Sequence, residues 1–292
     1  MPELPEVETV RRGLSTLIIG KTITTITVYD SPKSFPNAPA DVEQFVYGAT
    51  VTAVRRRAKV LLIDLSTHYT FVIHLKMTGQ MVYVGEERFG AGHPNDSLVN
   101  VLPDASTRVS IVFSDGTHVY FNDQRKFGWV RLYPTDEVVN IPFMQKVGPE
   151  PLEDSFTSDI FIQRIRRRNN TIIKAAILDQ TVLAGVGNIY ADEGLWAAKI
   201  HPSTRVKDVP DNALRDLHAA LVAVLALSIQ KGGSTNRNYV TAEGKRGSYM
   251  DFANVFRRDG QPCPRHPEVI IEKIKVAGRG THICPVCQPV SQ

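Results

Sequence analysis

Four residues near the C-terminus have the types and spacing of a metal site. Two residues separate Cys263 from His266, two separate Cys284 from Cys287, and seventeen lie between the pairs. Two such pairs can close one tetrahedral Zn²⁺ site, and four protein ligands leave no position open for substrate, so the implied zinc is structural. All three cysteines of the chain fall in this segment, and an odd number is poor material for disulfides. The other end of the chain offers different chemistry. Removal of Met1 would leave Pro2 with a terminal secondary amine, and an α-amino group has a reference pKa about two to three units below that of lysine. Its neutral form can attack a sugar's anomeric carbon, and the cationic iminium that follows is an electron sink. Glu3, next to it, can move a proton. Taken alone, Pro2 and Glu3 read first as a helix start.

Local patterns suggest what positions these residues. Pro5 to Arg12 has the proline and first-turn acids of a helix N-terminus. A β-rich region follows, with apolar and β-branched runs at 50–65 and 70–77. Arg108 to Phe113 alternates, Asp115-Gly116 signals a hairpin, and His118 to Phe121 returns. The Gly-, Pro-, Asn- and Asp-rich stretch 89–106 reads as a loop. Pro142, Pro149 and Pro151 mark a linker, and beyond it the period turns helical. Leu214, Leu217, Leu221, Leu225 and Ile229 keep one apolar face, and Gly232-Gly233 ends that helix. A helix pair brackets 183–188, where two glycines permit a tight turn.

The 292 residues are enough for two cored domains, and 42% hydrophobic with 22% charged composition excludes wholesale disorder. The uncharged run 219–227 is too short to span a bilayer, and the N-terminus lacks signal-peptide character. The expectation is a cytoplasmic protein without membrane partners. Net charge is only +4, but residues 231–292 carry ten Lys/Arg against five Asp/Glu. With Arg55-Arg56-Arg57 and Arg164, Arg166, Arg167 and Arg168, this distribution favours a polyanionic partner.

Met1-Pro-Glu-Leu-Pro-Glu-Val-Glu-Thr-Val-Arg-Arg-Gly-Leu14 closely resembles the start of bacterial formamidopyrimidine-DNA glycosylases. The likeness continues through Arg56 to Val60, His74 to Gly79, Asn122 to Gly128, Gly148 to Leu152, Leu178 to Tyr190 and Ile274 to Cys284, in family order along the whole chain. The resemblance implies excision of 8-oxoguanine and ring-opened purines from damaged double-stranded DNA by a monomer. It implies Pro2 as Schiff-base nucleophile, Glu3 as its proton-transfer partner and Glu6 close by. Lys59 matches a lysine that approaches the phosphate beside the lesion; by itself it would read as the exposed end of a basic strand. Arg279 matches the phosphate-gripping arginine of the zinc hairpin and alone would read as a solvated turn charge. Met77, Arg125 and Phe127 match the trio that fills the gap left by a flipped nucleotide, with Gly79 and Gly128 favouring exposed turns. His74 and the backbone near Asn188 match phosphate contacts.

The implied architecture is α+β: an N-terminal antiparallel β-sandwich with a leading helix over 2–135, a linker over 136–155, a helical helix-two-turns-helix domain over 156–250 and a zinc-binding β-hairpin over 251–290. Some positions depart from the family pattern. His266 replaces a cysteine, the gap between ligand pairs is one residue longer, Ser106 stands where a phosphate-binding histidine is usual, Phe256-Arg257 replaces a Tyr-Gly pair, and Asn169-Asn170 interrupts the basic run. Leu4 favours this purine-lesion branch over the related endonuclease eight type, which usually has Gly there.

Overall fold

The computed structural model describes residues 2–234 and 249–290. Part of the basic tail, and 235–248 of the expected helical domain, lie outside the described residues. The chain divides into two compact units. The first spans Met1–Gln145 and takes in residues 232–234; the second runs from Lys146 to Lys231 and resumes with the zinc segment.

The first unit opens on α1 (Leu4–Ile18), whose Leu4, Val7, Val10, Leu14 and Ile18 form one buried stripe at helical spacing. Nine strands follow: β1 (Ile23–Val28), β2 (Val51–Arg57), β3 (Val60–Leu65), β4 (Tyr69–His74), β5 (Gly79–Val84), β6 (Arg88–Gly92), β7 (Thr107–Phe113), β8 (His118–Asp123) and β9 (Trp129–Pro134). They form two antiparallel sheets, ordered β1-β7-β8-β5-β6 and β2-β3-β4-β9. A short helix, α2 (Pro39–Phe45), lies between β1 and β2. Strand alternation supplies the core: Leu61, Ile63 and Leu65 join α1 and both sheets in one cluster, while Val60 and Leu62 face the other way. The expected hairpin joins β7 to β8, with Gly116 at φ +80.

One expectation is corrected here. Within 89–106, β6 is a true strand paired with β5, followed by a 3-10 turn at Asp96–Leu98 capped by Asn95. Its glycines serve close packing rather than looping: a Cβ on Gly92 would stand 2.5 Å from the Gly79 carbonyl oxygen. The stretch expected as a linker, 136–155, carries local helical structure: 3-10 turns at Thr135–Asn140 run into it and α3 (Pro142–Lys146) lies within it. Pro142 occupies a first-turn position, where it starts a helix instead of breaking one, and Phe143 and Met144 pack on the outer face of β3 and β4.

The second unit contains α4 (Ser158–Ile165), α5 (Ile173–Leu178), α6 (Asn188–Ala197), α7 (Asp211–Gln230) and a hairpin of β10 (Glu272–Val276) and β11 (Arg279–Ile283). The 20-residue α7 is long and apolar enough in composition to cross a membrane, more than the uncharged run alone suggests. Its Leu214, Leu217, Leu221 and Leu225 are nevertheless buried, and α7 packs on α4 and α6 as a core helix.

Candidate active site and zinc centre

Pro2 is buried where α1 begins. Glu3 is the N-cap: its side chain accepts from the Glu6 backbone N–H, and Glu6 returns the bond by accepting from Glu3 N at 2.7 Å. The second Glu6 oxygen accepts from Ser234 N at 2.7 Å. Gly233 beside it has φ +80, and a Cβ there would come within 3.2 Å of the Glu6 carboxylate, so glycine answers both the backbone and the space. Glu6 is thus a backbone clamp that fixes Glu3 and the 233–234 turn.

Lys59 lies in the tight turn between β2 and β3, after Ala58 at φ +52. It is 6% exposed, which corrects the reading of its position as a free strand end. Arg56 donates to Glu8 of α1 (3.2 Å) and to the Ala58 carbonyl (2.9 Å), tying the helix that begins at Pro2 to the turn that carries Lys59. Burial raises the Glu8 carboxyl, but hydrogen bonds from Arg11 and Arg12 and the Arg56 charge outweigh it and hold Glu8 below the usual range. His74 ends β4 opposite Val60. Burial first, then the charges of Lys76 and Lys59, push its pKa down to about 3, so the imidazole is neutral at physiological pH. Its Nδ1 accepts from Lys76 N at 3.0 Å, leaving Nε2–H as the donor.

Met77 sits on the β4–β5 connection and Arg125 and Phe127 on the β8–β9 connection; both connections cross from one sheet to the other. Met77 is 39% and Phe127 54% exposed, as turn residues rather than core, and the Arg125 guanidinium lies 4.8 Å from the Phe127 ring centre. A residue the sequence reading missed holds these turns together. Asp123, fully buried, accepts through Oδ1 from the Thr78 hydroxyl and from Arg125 N (3.2 Å), and through Oδ2 from Gly128 N (2.6 Å). Arg125 N also donates to Thr78 Oγ1 at 3.1 Å. The available signal was its place at the end of β8, before the turn glycine, but nothing local shows that it reaches Thr78.

Ser106 is buried and bonded to Ser97 Oγ (2.9 Å) and Asp104 Oδ1 (2.7 Å), so it points into the fold. Internal pairs also occupy part of the basic clusters: Arg55 with Asp64, Arg56 with Glu8, Arg166 with Asp211 and Arg168 with Asp179.

In the second unit Cys263, His266, Cys284 and Cys287 converge, their ligand atoms all within 4.8 Å of one another. Cys263 and Cys287 sulfurs are 3.8 Å apart, and His266 Nδ1 lies 3.2 Å from Cys287 Sγ and 4.0 Å from Cys284 Sγ. A tetrahedral centre with Zn–S of about 2.3 Å and Zn–N of about 2.0 Å spaces its donors about this far apart. The set therefore fits one zinc with no open position. The finger packs on α6 through Trp196, with Arg265 3.8 Å over its ring. Arg279, exposed, follows Ala277 and Gly278 at positive φ at the hairpin tip. A buried network seats that hairpin. Lys174 Nζ donates to Asp192 Oδ1 and Thr281 Oγ1, both at 2.6 Å, and Asp192 Oδ2 accepts from His282 N at 3.0 Å. Asn188, at the first turn of α6, donates to the Gly280 carbonyl at 3.0 Å. Lys174 and Asp192 were also missed by sequence reasoning.

Solved structures similar to this chain include complexes with abasic-site and Fapy-dG-containing DNA. A Lactococcus lactis Fpg bound to abasic-site DNA is 33% identical, with a TM-score of 0.84, covering 98% of this chain and 99% of its own. A mutant of the same enzyme with Fapy-dG-containing DNA is 34% identical, with a TM-score of 0.84, covering 99% and 100%. Fold and site together define a zinc-finger DNA glycosylase. Residues 1–130 match the formamidopyrimidine-DNA glycosylase N-terminal domain, 147–240 its H2TH domain, and 268–290 the zinc finger found in FPG and IleRS. Formamidopyrimidine-DNA glycosylases of Herpetosiphon aurantiacus and Chloroflexus aggregans are 42% and 40% identical, over 99% and 100% of this chain and all of their own lengths. The chain belongs to the formamidopyrimidine-DNA glycosylase family.

Proposed function

We propose that this protein is a bifunctional glycosylase and AP lyase that excises 8-oxoguanine and formamidopyrimidines from duplex DNA through an N-terminal proline Schiff base, in base excision repair. The observation that carries the reading is the start of α1: Pro2 and Glu3 are both buried and Glu6 locks Glu3, in the unit whose turns present Met77, Arg125 and Phe127. Met1 removal frees the Pro2 nitrogen. Its lone pair attacks C1′ of a flipped nucleotide, the glycosidic bond breaks, and the base leaves with the bonding pair and takes up the proton that the Pro2 nitrogen loses. The nitrogen then forms an iminium as the C1′–O4′ bond opens, with Glu3 supplying the proton to O4′. The iminium acidifies C2′. Loss of that proton expels the 3′-phosphate, and a second elimination expels the 5′-phosphate. Lys59 and the neutral His74 hold phosphate beside the lesion, and Arg279 and the first turn of α6 at Asn188 hold the flanking backbone. Zinc supplies the fold of the hairpin and takes no part in the reaction. The protein acts as a monomer on cytoplasmic DNA.

The test is borohydride reduction on duplex containing 8-oxoguanine. Wild-type protein forms a stable covalent complex, and protein with Met1 retained, or Pro2→Gly with an acetylated terminus, forms none. Equal trapping by the blocked protein would remove Pro2 as the nucleophile.

A further inference from the structure

The basic run that begins at Arg164 divides in the folded chain. Arg166 turns inward, donating to the carbonyls of Val206 (2.6 Å) and Val209 (2.7 Å) and pairing with Asp211. Arg168 pairs with Asp179 at 2.8 Å. Arg164 is anchored by two carbonyls, Val182 O at 2.9 Å and Thr181 O at 2.6 Å. These bonds use Nε and Nη2 and leave the Nη1 edge free to donate. Arg167, by contrast, has no ion pair or side-chain hydrogen bond among the described residues, and neither has Lys146. The four cations Lys146, Arg164, Arg167 and Arg168 line one cavity of about 280 Å³, closed by Thr181 and Val182. No acid lines it.

Like charges gathered round a hollow repel one another, and the repulsion is relieved when an anion enters. Burial first, and the Arg167 charge second, hold the Arg164 guanidinium below its ordinary proton affinity, a sign of that crowding. The geometry also selects the kind of anion. A guanidinium fixed by backbone carbonyls presents its remaining N–H groups in a set direction, and a tetrahedral oxyanion can accept from it, from Arg167 and from Lys146 at once. The cavity is too polar and too open for an apolar ligand.

We propose that this cavity is a phosphate site, built by Arg164 as the fixed member and by Arg167 and Lys146 as the unneutralised ones. A DNA phosphodiester and a free phosphate anion share this chemistry. The site lies wholly in the second unit and is independent of the Pro2 reading.

The experiment uses the full-length, zinc-loaded protein and two probes. Inorganic pyrophosphate binding is followed by calorimetry at low salt, and binding to undamaged duplex is followed as a function of salt. The variants are Arg167→Gln with Lys146→Gln, which spare the anchored Arg164, and Arg167→Lys, which keeps the charge; thermal unfolding checks that each is folded. Pyrophosphate should bind the wild type and weaken about tenfold or more in the double variant, the size expected for a lost charge-assisted hydrogen bond. The charge-keeping variant should retain most of it. If the occupant is DNA backbone, the log–log salt slope of the double variant also falls by about one unit per lost contact. If pyrophosphate binding is lost with the slope unchanged, the site takes the free anion. Wild type that binds no pyrophosphate, or variants that match it in both measurements, would overturn the proposal.

Discussion

The two units hold their functional residues by different means. In the first, α1 and two sheets bury a large apolar cluster, and one buried carboxylate, Asp123, ties together the turns that carry Met77, Arg125 and Phe127. In the second, the finger has a small core of Trp196, Val255, Ile271 and its own ligand cysteines. A segment of that size cannot bury enough apolar area to fix a hairpin, so a metal and an internal ion pair do it instead. The same task, presenting an exposed side chain from a tight turn, is solved by hydrophobic area where there is enough of it and by bonds to charged groups where there is not.

The largest effect should come from removing the metal. Strong chelation should abolish damaged-DNA binding, because structural zinc contributes roughly 10–16 kcal/mol in comparable fingers, while the β-sandwich keeps its near-ultraviolet circular dichroism. Metal analysis should give about one zinc per chain. Metal-free protein that binds lesions normally would end the zinc assignment.

Next is the buried pair beneath the hairpin. Lys174→Met strands Asp192 without its cation, and breaking such a pair costs about 3–5 kcal/mol. Hydrogen exchange should speed up in α5, α6 and β11 and stay slow in β3 and β4. Uniform change across both units would contradict the separate anchoring.

Asp123→Ala leaves Gly128 N and the Thr78 hydroxyl without their carboxylate acceptor, at about 1–3 kcal/mol for each buried group. Denaturant unfolding measures that loss. A fluorescent base analogue opposite the lesion should remain stacked on binding, since the two turns no longer enter together. If the analogue unstacks as with wild type, Asp123 is structural only.

The smallest effect concerns His74. Its pKa is depressed to about 3 in the fold from an ordinary value near 6.5, so the unfolded chain binds the proton more tightly. Its contribution to stability is therefore full above about pH 6.5 and declines as pH falls towards 3. The His74 ring resonances should not titrate between pH 5 and 8, and titration near 6.5 would show an exposed, chargeable ring.

Where a signal is local, the sequence was sufficient. Ligand pairs with two residues between them, the acid-rich helix start, the leucine stripe of α7 and the Asp-Gly hairpin each depend on neighbours within a turn or a strand. Resemblance supplied roles for Lys59 and Arg279 that their residue types alone did not. The tertiary structure decided the rest. Thr78 and Asp123 are 45 positions apart, and Lys174 and Thr281 107, so no window of sequence contains either contact. Composition could count arginines at 55–57 and 164–168 but could not tell which would meet an internal carboxylate and which would be left facing a cavity. Gly92, one of the residues that suggested a loop at 89–106, proved to be required by a neighbouring strand's backbone. Hydrophobic period and turn chemistry select the elements, but the pairing of buried polar groups depends on which elements pack together, and that is set only when the chain closes on itself.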